Sequence, residues 1–148
     1  MDAVVLLPGE GERIATGAST TVMKATAETT GGAFSLSEAT FPPGMAGPPP
    51  HAHRHTTDTF YVLDGTLHLT VGERELDAPA GCYILVPPGI VHTFANTSAA
   101  PVRFLNINAP GGWEHYLRDL AGAMRAGTMP GSAEFAQLVA KYDFVVPA

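Results

Sequence analysis

The chain has 148 residues, which is the usual size of a single domain. Its formal net charge of −6 disfavours nucleic acids and anionic membrane surfaces as partners, because both are negatively charged. Charged residues make up only 15% of the chain, whereas Gly (16) and Pro (13) are abundant. This mixture favours short strands joined by tight turns and disfavours long helices or a coiled coil.

The amino-terminal run MDAVVLLPGEGER lacks the pattern of a secretion signal, because its apolar stretch is short, Asp2 takes the place of a positive charge, and Pro8 ends the run. Apolar stretches elsewhere fall short of the roughly 20 residues that a membrane-spanning helix needs. The single cysteine, Cys82, cannot form an intramolecular disulfide, which is compatible with a reducing compartment. We therefore expect a cytoplasmic protein.

Most of the chain before residue 109 has the pattern of short β-strands. Runs containing β-branched and aromatic residues, most of them bounded by Gly, Pro, Asn or Asp, predict strands at 20–27, 33–40, 59–63, 66–71, 83–86, 91–95 and 102–108. The Asp64-Gly65 pair predicts a hairpin, because both residue types tolerate positive φ. A second turn is predicted at Val71-Gly72-Glu73, within the alternating run LHLTVGEREL.

The pattern becomes helical after Pro110-Gly111-Gly112. Apolar residues at helical spacing predict a first helix through Trp113, Tyr116, Leu117, Leu120 and Met124. Ser132 is a candidate N-cap for a second helix, with Phe135, Leu138 and Val139 on one face. We predict a β domain over residues 1–108 and a helical tail, residues 109–148, that packs on it.

The first histidine cluster is His51-Ala52-His53-Arg54-His55, which Asp58 follows. Alternate residues of a strand point to the same side, so His51 and His53 can act together as metal ligands. His55 has the same parity and is a competing candidate. A bend after residue 55 can bring Asp58 to the same centre. Taken alone, the histidine pair is equally compatible with a metal site and with ordinary roles, and Asp58 with a turn residue.

The second cluster lies in VPPGIVHTF, where His92 is the one ionisable residue. A neutral imidazole buried in such a run needs a hydrogen-bond partner or a metal ion. The isolated His68 and His115 are expected in ordinary surface or packing roles.

The two clusters together resemble the two signature motifs of the cupin superfamily. In GPPPHAHRHTTDTFYVLDG, the spacing of His51, His53, Asp58 and Gly65 fits the first motif. In GCYILVPPGIVHTFAN, the second motif is matched at every position, namely Gly81, Pro87, Gly89, His92 and Asn96. Two departures stand out. The usual acid is Glu, one methylene longer than Asp58, and only three residues separate Gly47 from His51 where the pattern has five.

The resemblance implies an all-β fold, a small antiparallel jelly-roll barrel in which the two motifs form neighbouring hairpins. It implies that His51, His53, Asp58 and His92 hold one divalent transition metal, which can be Fe, Mn, Ni, Cu or Zn. Asp58 would also be the catalytic residue, as the proton acceptor. Related small cupins imply a homodimer.

For function, the resemblance implies a metal-dependent enzyme acting on a small organic substrate, foremost a dioxygenase similar to those that cleave quercetin or diketones. Isomerase, cyclase or dehydratase chemistry, a non-catalytic ligand-binding cupin and a purely structural barrel are the alternatives. Tyr61, Phe94, Arg103 and Met45 are the candidate substrate-binding residues. Phe60, Val62, Phe104 and Trp113 are further candidates for the pocket wall, with plain core packing as the alternative for each.

Overall fold

A computed structural model of the chain describes residues 1–147. The amino-terminal half contains β1 (Glu12–Thr16), β2 (Ser19–Ala25), α1 (Ala27–Thr30), β3 (Ser35–Phe41), β4 (Ala52–His53), β5 (Thr57–Asp64) and β6 (Thr66–Val71). The rest contains β7 (Arg74–Pro79), β8 (Tyr83–Val86), β9 (His92–Ala95), β10 (Val102–Ala109), α2 (Trp113–Arg125), α3 (Ala133–Ala140) and β11 (Phe144–Val145).

The strands form the jelly-roll barrel that the resemblance implied. One sheet has the order β1-β2-β3-β10-β5-β8, a second has the order β7-β6-β9, and their pairings are antiparallel. Side chains that alternate inward along the strands fill the space between the sheets, as in β10, where Val102 and Phe104 are buried and Arg103 is exposed. Phe60 and Leu69 reach this barrel core from the two different sheets.

The predicted hairpin at Asp64-Gly65 is wrong, although a turn is present there. β5 ends at Asp64 and β6 begins at Thr66, but the two strands belong to different sheets. Gly65 has a φ of 77°, and a Cβ there would lie 2.4 Å from the carbonyl oxygen of Pro101. The residue pair therefore specifies a local backbone conformation, and it does not specify which strands become neighbours. The second predicted turn does form a hairpin, in which Val71 pairs with Arg74.

The amino-terminal strands differ from the prediction in their bounds. The strand predicted at 20–27 is β2, which ends at Ala25 because Thr26 caps the short helix α1, its side chain accepting from the Thr29 backbone N–H. β1 was not predicted, since Ile14 is the one buried residue in its five and the run has little apolar pattern.

The tail contains the two predicted helices, and the Ser132 hydroxyl caps α3 by accepting from the Phe135 backbone N–H at 3.1 Å. It also contains a short strand, β11, which pairs with β4 of the barrel. A second apolar cluster joins the tail to the amino-terminal strands; it contains Ile14, Met23, Tyr116, Leu117, Ala121, Leu138, Val139 and Phe144. Residue 148 of the predicted tail lies outside the described residues.

Among the helices that the structure describes, none has the length and apolar character needed to cross a bilayer.

Candidate metal centre

Four side chains from the two motifs converge at one end of the barrel. A nitrogen from each of His51, His53 and His92 and an oxygen from Asp58 lie within 4.8 Å of one another. All four residues are at most 4% exposed. The buried cluster fits a metal site of the kind that cupins contain.

Backbone pairing places the ligands from the two motifs side by side. The His51 N–H donates to the His92 carbonyl at 3.0 Å, and the His92 N–H donates to the His51 carbonyl at 2.8 Å. The Gly89 N–H, from the Pro-Gly turn of the second motif, donates to the His53 carbonyl at 2.8 Å. Residues 36 and 41 positions apart in the chain therefore meet through backbone hydrogen bonds, and the motifs supply the imidazoles.

Hydrogen bonds to the backbone fix the tautomer of two of the imidazoles. Nδ1 of His51 lies 2.9 Å from the carbonyl oxygen of Pro49, and Nδ1 of His92 lies 3.0 Å from that of Ile90. Each Nδ1 must carry the proton, since a carbonyl only accepts, so Nε2 of a neutral ring presents its lone pair to the centre.

Two polar atoms in the cluster lack a satisfactory partner in the absence of a cation. Nε2 of His53 is buried and has no hydrogen-bond partner among the described residues. Nε2 of His92 lies 3.0 Å from Oδ2 of Asp58, which leaves two acceptors facing each other unless the imidazole is protonated. Because an unpartnered buried polar atom is costly, both observations fit a cation that accepts electron pairs from these atoms.

Two asparagines of β10 hold the Asp58 carboxylate. Its Oδ1 accepts from Nδ2 of Asn106 at 2.6 Å and from Nδ2 of Asn108 at 3.0 Å. Its Oδ2 faces the histidines, 3.0 Å from His92 and 3.6 Å from His53. Asn108 lies directly opposite Asp58 in the β5–β10 register, and Asn106 is two residues away on the same face. The carboxylate therefore offers one oxygen to the centre while the other is fixed by amides.

Burial and neighbouring charges set the protonation states of the cluster. Burial lowers the pKa of His51 to about 4, so this ring is neutral at pH 7. Burial opposes ionisation of Asp58, but the imidazoles of His53 and His92 outweigh it and lower the pKa of Asp58 to about 2. Burial also works against the charged form of His92, yet the contact with Asp58 raises its pKa. An ionised carboxylate and imidazole nitrogens form a donor set suited to a divalent transition metal.

The tail covers the open side of the cluster. The Phe144 ring centroid lies 5.2 Å from those of both His51 and His53, and Trp113 lies 5.8 Å from His53. Trp113, Tyr116 and Phe144 pack against one another, with centroids 4.7 to 5.7 Å apart. These three residues form an aromatic roof over the histidines.

Three cavities meet at this roof, and Tyr116 lines all of them. A cavity of about 430 Å³ lies between the proline-rich loop and α3 and reaches His51. A second of about 350 Å³ reaches His53 and Asn108. A third of about 190 Å³ enters the barrel beside Asn106.

Two of the four predicted substrate-binding residues line the cavity beside Asn106. Met45 and Phe94 are both in its wall, together with Trp113. Gly47 lets the proline-rich loop lie against β9 at this wall, because a Cβ there would lie only 1.8 Å from the carbonyl oxygen of Phe94. The short spacing between Gly47 and His51 is thus accommodated by close backbone contact.

The other two predicted substrate-binding residues lie away from the centre, so that assignment is corrected. Tyr61 is 39% exposed and alternates with the buried Phe60 and Val62, so it lies on the outer face of β5, opposite to Asp58. Arg103 also faces outward and forms an ion pair with Glu38 at 2.8 Å. Both residues were candidates because of their polar groups, but the alternation of side chains along a strand places them on the outer face of the sheet.

The remaining pocket candidates divide in the same way. Phe60, Val62 and Phe104 belong to the barrel core, whereas Trp113 is part of the aromatic roof. His55, the competing candidate ligand, is exposed and outside the cluster, as His51 and His53 take the first-motif positions.

The sequence interpretation missed Asn106, Asn108 and the tail residues Asp143 and Phe144. A signal existed for the asparagines: in 102–108 the inward positions read Val, Phe, Asn, Asn, so two polar residues share the buried face of a strand. Buried amides need partners, and a nearby buried acid is one. No comparable pattern marks the tail residues, because their contacts depend on tertiary folding.

Comparison with known proteins agrees with the fold and the cluster. The family described as "Cupin domain" matches residues 37–108, which include all four clustered residues. The matched segment, residues 37–108, is a cupin domain.

Among curated proteins, the chain is similar to the quercetin 2,3-dioxygenase of Bacillus subtilis, with 28% identity over 126 residues that cover 85% of this chain. The chain spans only 37% of that relative's length. Among solved structures, KdgF from a Halomonas species has a TM-score of 0.67 at 12% identity, covering 77% of this chain and 99% of that one. The polyketide cyclase RemF from Streptomyces resistomycificus has a TM-score of 0.62 at 21% identity, covering 73% and 80%. At these identities the solved structures establish the fold alone.

Proposed function

We propose that the protein is a mononuclear metal-dependent enzyme that acts on a small organic substrate by dioxygenase-type chemistry. The observation that carries the proposal is the convergence of three imidazoles and one carboxylate within 4.8 Å. Four protein ligands leave positions open on a six-coordinate ion, and open positions distinguish a catalytic site from a closed structural one.

The bound metal would supply Lewis acidity and, if it is Fe, Mn, Ni or Cu, redox exchange with dioxygen; Zn would supply Lewis acidity alone. His51, His53, His92 and Asp58 would hold it. Met45 and Phe94 give an apolar wall that orients a substrate and excludes water.

Asp58 fits the role of ligand better than that of proton acceptor. A general base works best when its pKa is near the working pH, whereas the pKa of Asp58 is lowered to about 2. Asn106 and Asn108 further stabilise the ionised form by donating to Oδ1. We therefore assign Asp58 to metal binding and assign the role of proton acceptor to none of the four clustered side chains.

The choice of dioxygenase chemistry rests on the similarity to the Bacillus subtilis enzyme over 126 residues. Isomerase, cyclase and dehydratase chemistry remain the alternatives for the same donor set. The similarity to RemF does not favour a cyclase, because at 21% identity it concerns the fold.

The proposal includes a cytoplasmic homodimer with a small-molecule substrate and without nucleic-acid or membrane partners. The net charge of −6 and the single cysteine support the compartment and the excluded partners. Exposed apolar residues support a second copy as partner: Val4, Val5 and Leu7 near the amino terminus, and Tyr83 and Leu85 on the edge strand β8.

Metal binding and turnover are tested on the full-length apoprotein. We expect one Co(II) per chain by elemental analysis, and a loss of affinity of more than about a hundredfold in His53→Ala and His92→Ala, since even outer-shell changes at metal sites cost 10–100-fold. His55→Ala is the matched control and should retain the wild-type affinity. Equal affinity in His92→Ala and wild type would remove the basis of the proposal.

Oxygen uptake is then measured for protein loaded with Fe, Mn, Ni or Cu, against a panel of flavonols, β-diketones and enols. We expect uptake with at least one metal and its loss in His92→Ala. Substrate conversion without oxygen uptake would favour an isomerase, cyclase or dehydratase. A thermal shift caused by a ligand that stays chemically unchanged would favour a binding protein.

A further inference from the structure

The carboxylate of Asp143, in the tail, is bound by the loop that connects two metal ligands. Oδ2 accepts from the backbone N–H groups of His55 and Thr56 and from the Thr56 hydroxyl, each at 2.9 Å. Oδ1 accepts from the Arg54 N–H at 3.1 Å. Three consecutive N–H groups of the segment 54–56 are therefore satisfied by one side chain that lies 87 or more residues later in the chain.

These contacts are strong for a group near the surface. Burial raises the pKa of Asp143, but the donors from the His55 and Thr56 backbone and the Thr56 hydroxyl outweigh it and lower the pKa. A charged acceptor makes stronger hydrogen bonds than a neutral one, so the ionised carboxylate holds the segment in one conformation.

The contact bears on the metal centre because the segment 54–56 lies between two of the clustered residues. His53 precedes it directly, and Asp58 follows it after one further residue. The path of 54–56 thus sets how far apart the His53 imidazole and the Asp58 carboxylate lie, a separation of 3.6 Å between Nε2 and Oδ2. Phe144, the next residue after Asp143, pairs with His53 in the β4–β11 register.

We propose that Asp143 is a positioning residue of the metal centre, which fixes the segment 54–56 so that His53 and Asp58 are held ready to bind one cation. The inference rests on the proposed metal-dependent function. It places a determinant of metal affinity in the tail, outside residues 37–108 that match the cupin domain.

The test measures Co(II) affinity and the Co(II) ligand-field spectrum of full-length apoprotein. Asp143→Asn keeps the size of the side chain but turns an NH₂ group toward N–H donors. We expect about tenfold weaker binding, at the low end of the range for groups that orient metal ligands, and an altered spectrum. Thr56→Val removes one donor from the other side of the contact and should weaken binding by a smaller factor.

Tyr142→Phe is the matched control. Tyr142 precedes Asp143 and its hydroxyl binds the Asp119 carboxylate on α2, so the variant loosens the same segment of the tail without touching residues 54–56. We expect wild-type affinity and spectrum. Equal weakening in Tyr142→Phe and Asp143→Asn would overturn the proposal, because the effect would then come from tail stability.

Wild-type affinity and spectrum in a folded Asp143→Asn would also overturn it, while leaving the proposed function intact. The two failures can be told apart by His92→Ala. If that variant binds Co(II) as tightly as wild type, the metal site itself is absent from the cluster, and the role of Asp143 fails with it.

Discussion

The barrel and the tail meet at the metal centre, but each is held together by its own apolar cluster. The barrel core contains residues between Ala39 and Phe104, drawn from both sheets. The tail packs instead on β1 and β2 through Ile14 and Met23. The barrel supplies all four clustered side chains, and the tail supplies the aromatic roof and the Asp143 carboxylate.

This difference shows that two packing rules determine different parts of one site. In the barrel, strand alternation and register determine where every side chain points, so ligand positions follow from the same rule that builds the core. In the tail, an amphipathic helix needs only an apolar face, which leaves more freedom in what it places over the site. The barrel thus places the ligand side chains in register, whereas the tail covers them and, through Asp143, holds the segment 54–56.

The largest expected effect is a loss of free energy of unfolding that is greater for a substitution in the barrel core than for one in the tail cluster. Phe104 is 1% exposed and packs against the rings of Phe41 and Phe94, so Phe104→Ala should lower the free energy of unfolding by about 3–5 kcal/mol. Leu138→Ala, in the tail cluster, should cost about 2–3 kcal/mol, because α3 packs on one side only. Urea unfolding is followed by far-UV circular dichroism and by the fluorescence of Trp113.

Trp113 is the single tryptophan and lies in the tail beside His53, so its fluorescence reports how the tail packs on the barrel. In Leu138→Ala we expect the fluorescence midpoint to move below the circular-dichroism midpoint, whereas in Phe104→Ala both should fall together. If both midpoints move together in each variant, barrel and tail unfold as one unit and the division between them does not hold for stability.

As the pH is lowered, the free energy of unfolding of the apoprotein should change first through residues of the barrel and only at lower pH through residues of the tail. The pKa of His51 is about 4 in the folded protein and 6.5 when exposed, so between these values the unfolded chain binds the additional proton. The free energy of unfolding therefore falls as the pH is lowered from 6.5 to 4, by a few kcal/mol at most at 1.36 kcal/mol per pKa unit. His92 opposes this fall, since its raised pKa gives a stabilisation that is present at low pH and lost as the pH rises.

The net decrease should therefore be smaller than the contribution of His51 alone, and it is measured by urea unfolding at a series of pH values. His51→Gln should remove most of it. Asp143, whose pKa is lowered from 3.8, contributes stability that is lost only below that value, so Asp143→Asn should leave the slope between pH 6.5 and 4 unchanged. A slope that disappears in Asp143→Asn instead would place the acid sensitivity in the tail.

The strands were predicted from local patterns, whereas the jelly-roll barrel and the cluster of four residues were implied by the resemblance to the cupin motifs. Alternation marks strands, and the motif spacing of residues 51, 53, 58 and 92 matches where backbone pairing brings them together. The helices of the tail and the Ser132 cap were also predicted from local patterns. Strands, helices and caps are encoded within a few residues of where they form.

What the sequence did not predict depends on contacts between distant segments. The Asp64-Gly65 pair predicted the turn, but it did not predict that the strands on either side belong to different sheets. That outcome depends on how the two sheets pack. Tyr61 and Arg103 were assigned by chemical type and then placed outside by strand alternation. Asp143 looks like any exposed acid in the sequence, since its partners at residues 54–56 become its neighbours only when the tail folds back.

The smallest expected effect concerns access to the metal centre through the aromatic roof. Phe144→Ala removes a ring whose centroid lies 5.2 Å from those of His51 and His53, while Val145→Ala changes a side chain that points to the other face of β11. In Co(II)-loaded protein, we expect azide to associate about three- to tenfold faster with Phe144→Ala than with wild type, as for loosening a cover over a site. Val145→Ala should match wild type, because its backbone pairing with Ala52 is retained.

Stopped-flow absorbance gives both rates, and an unchanged rate in Phe144→Ala would mean that small ligands enter by another route, such as the cavity beside Asn106. The tail would then cover the ligands without controlling access to them, and its effect on the site would be limited to the Asp143 contact.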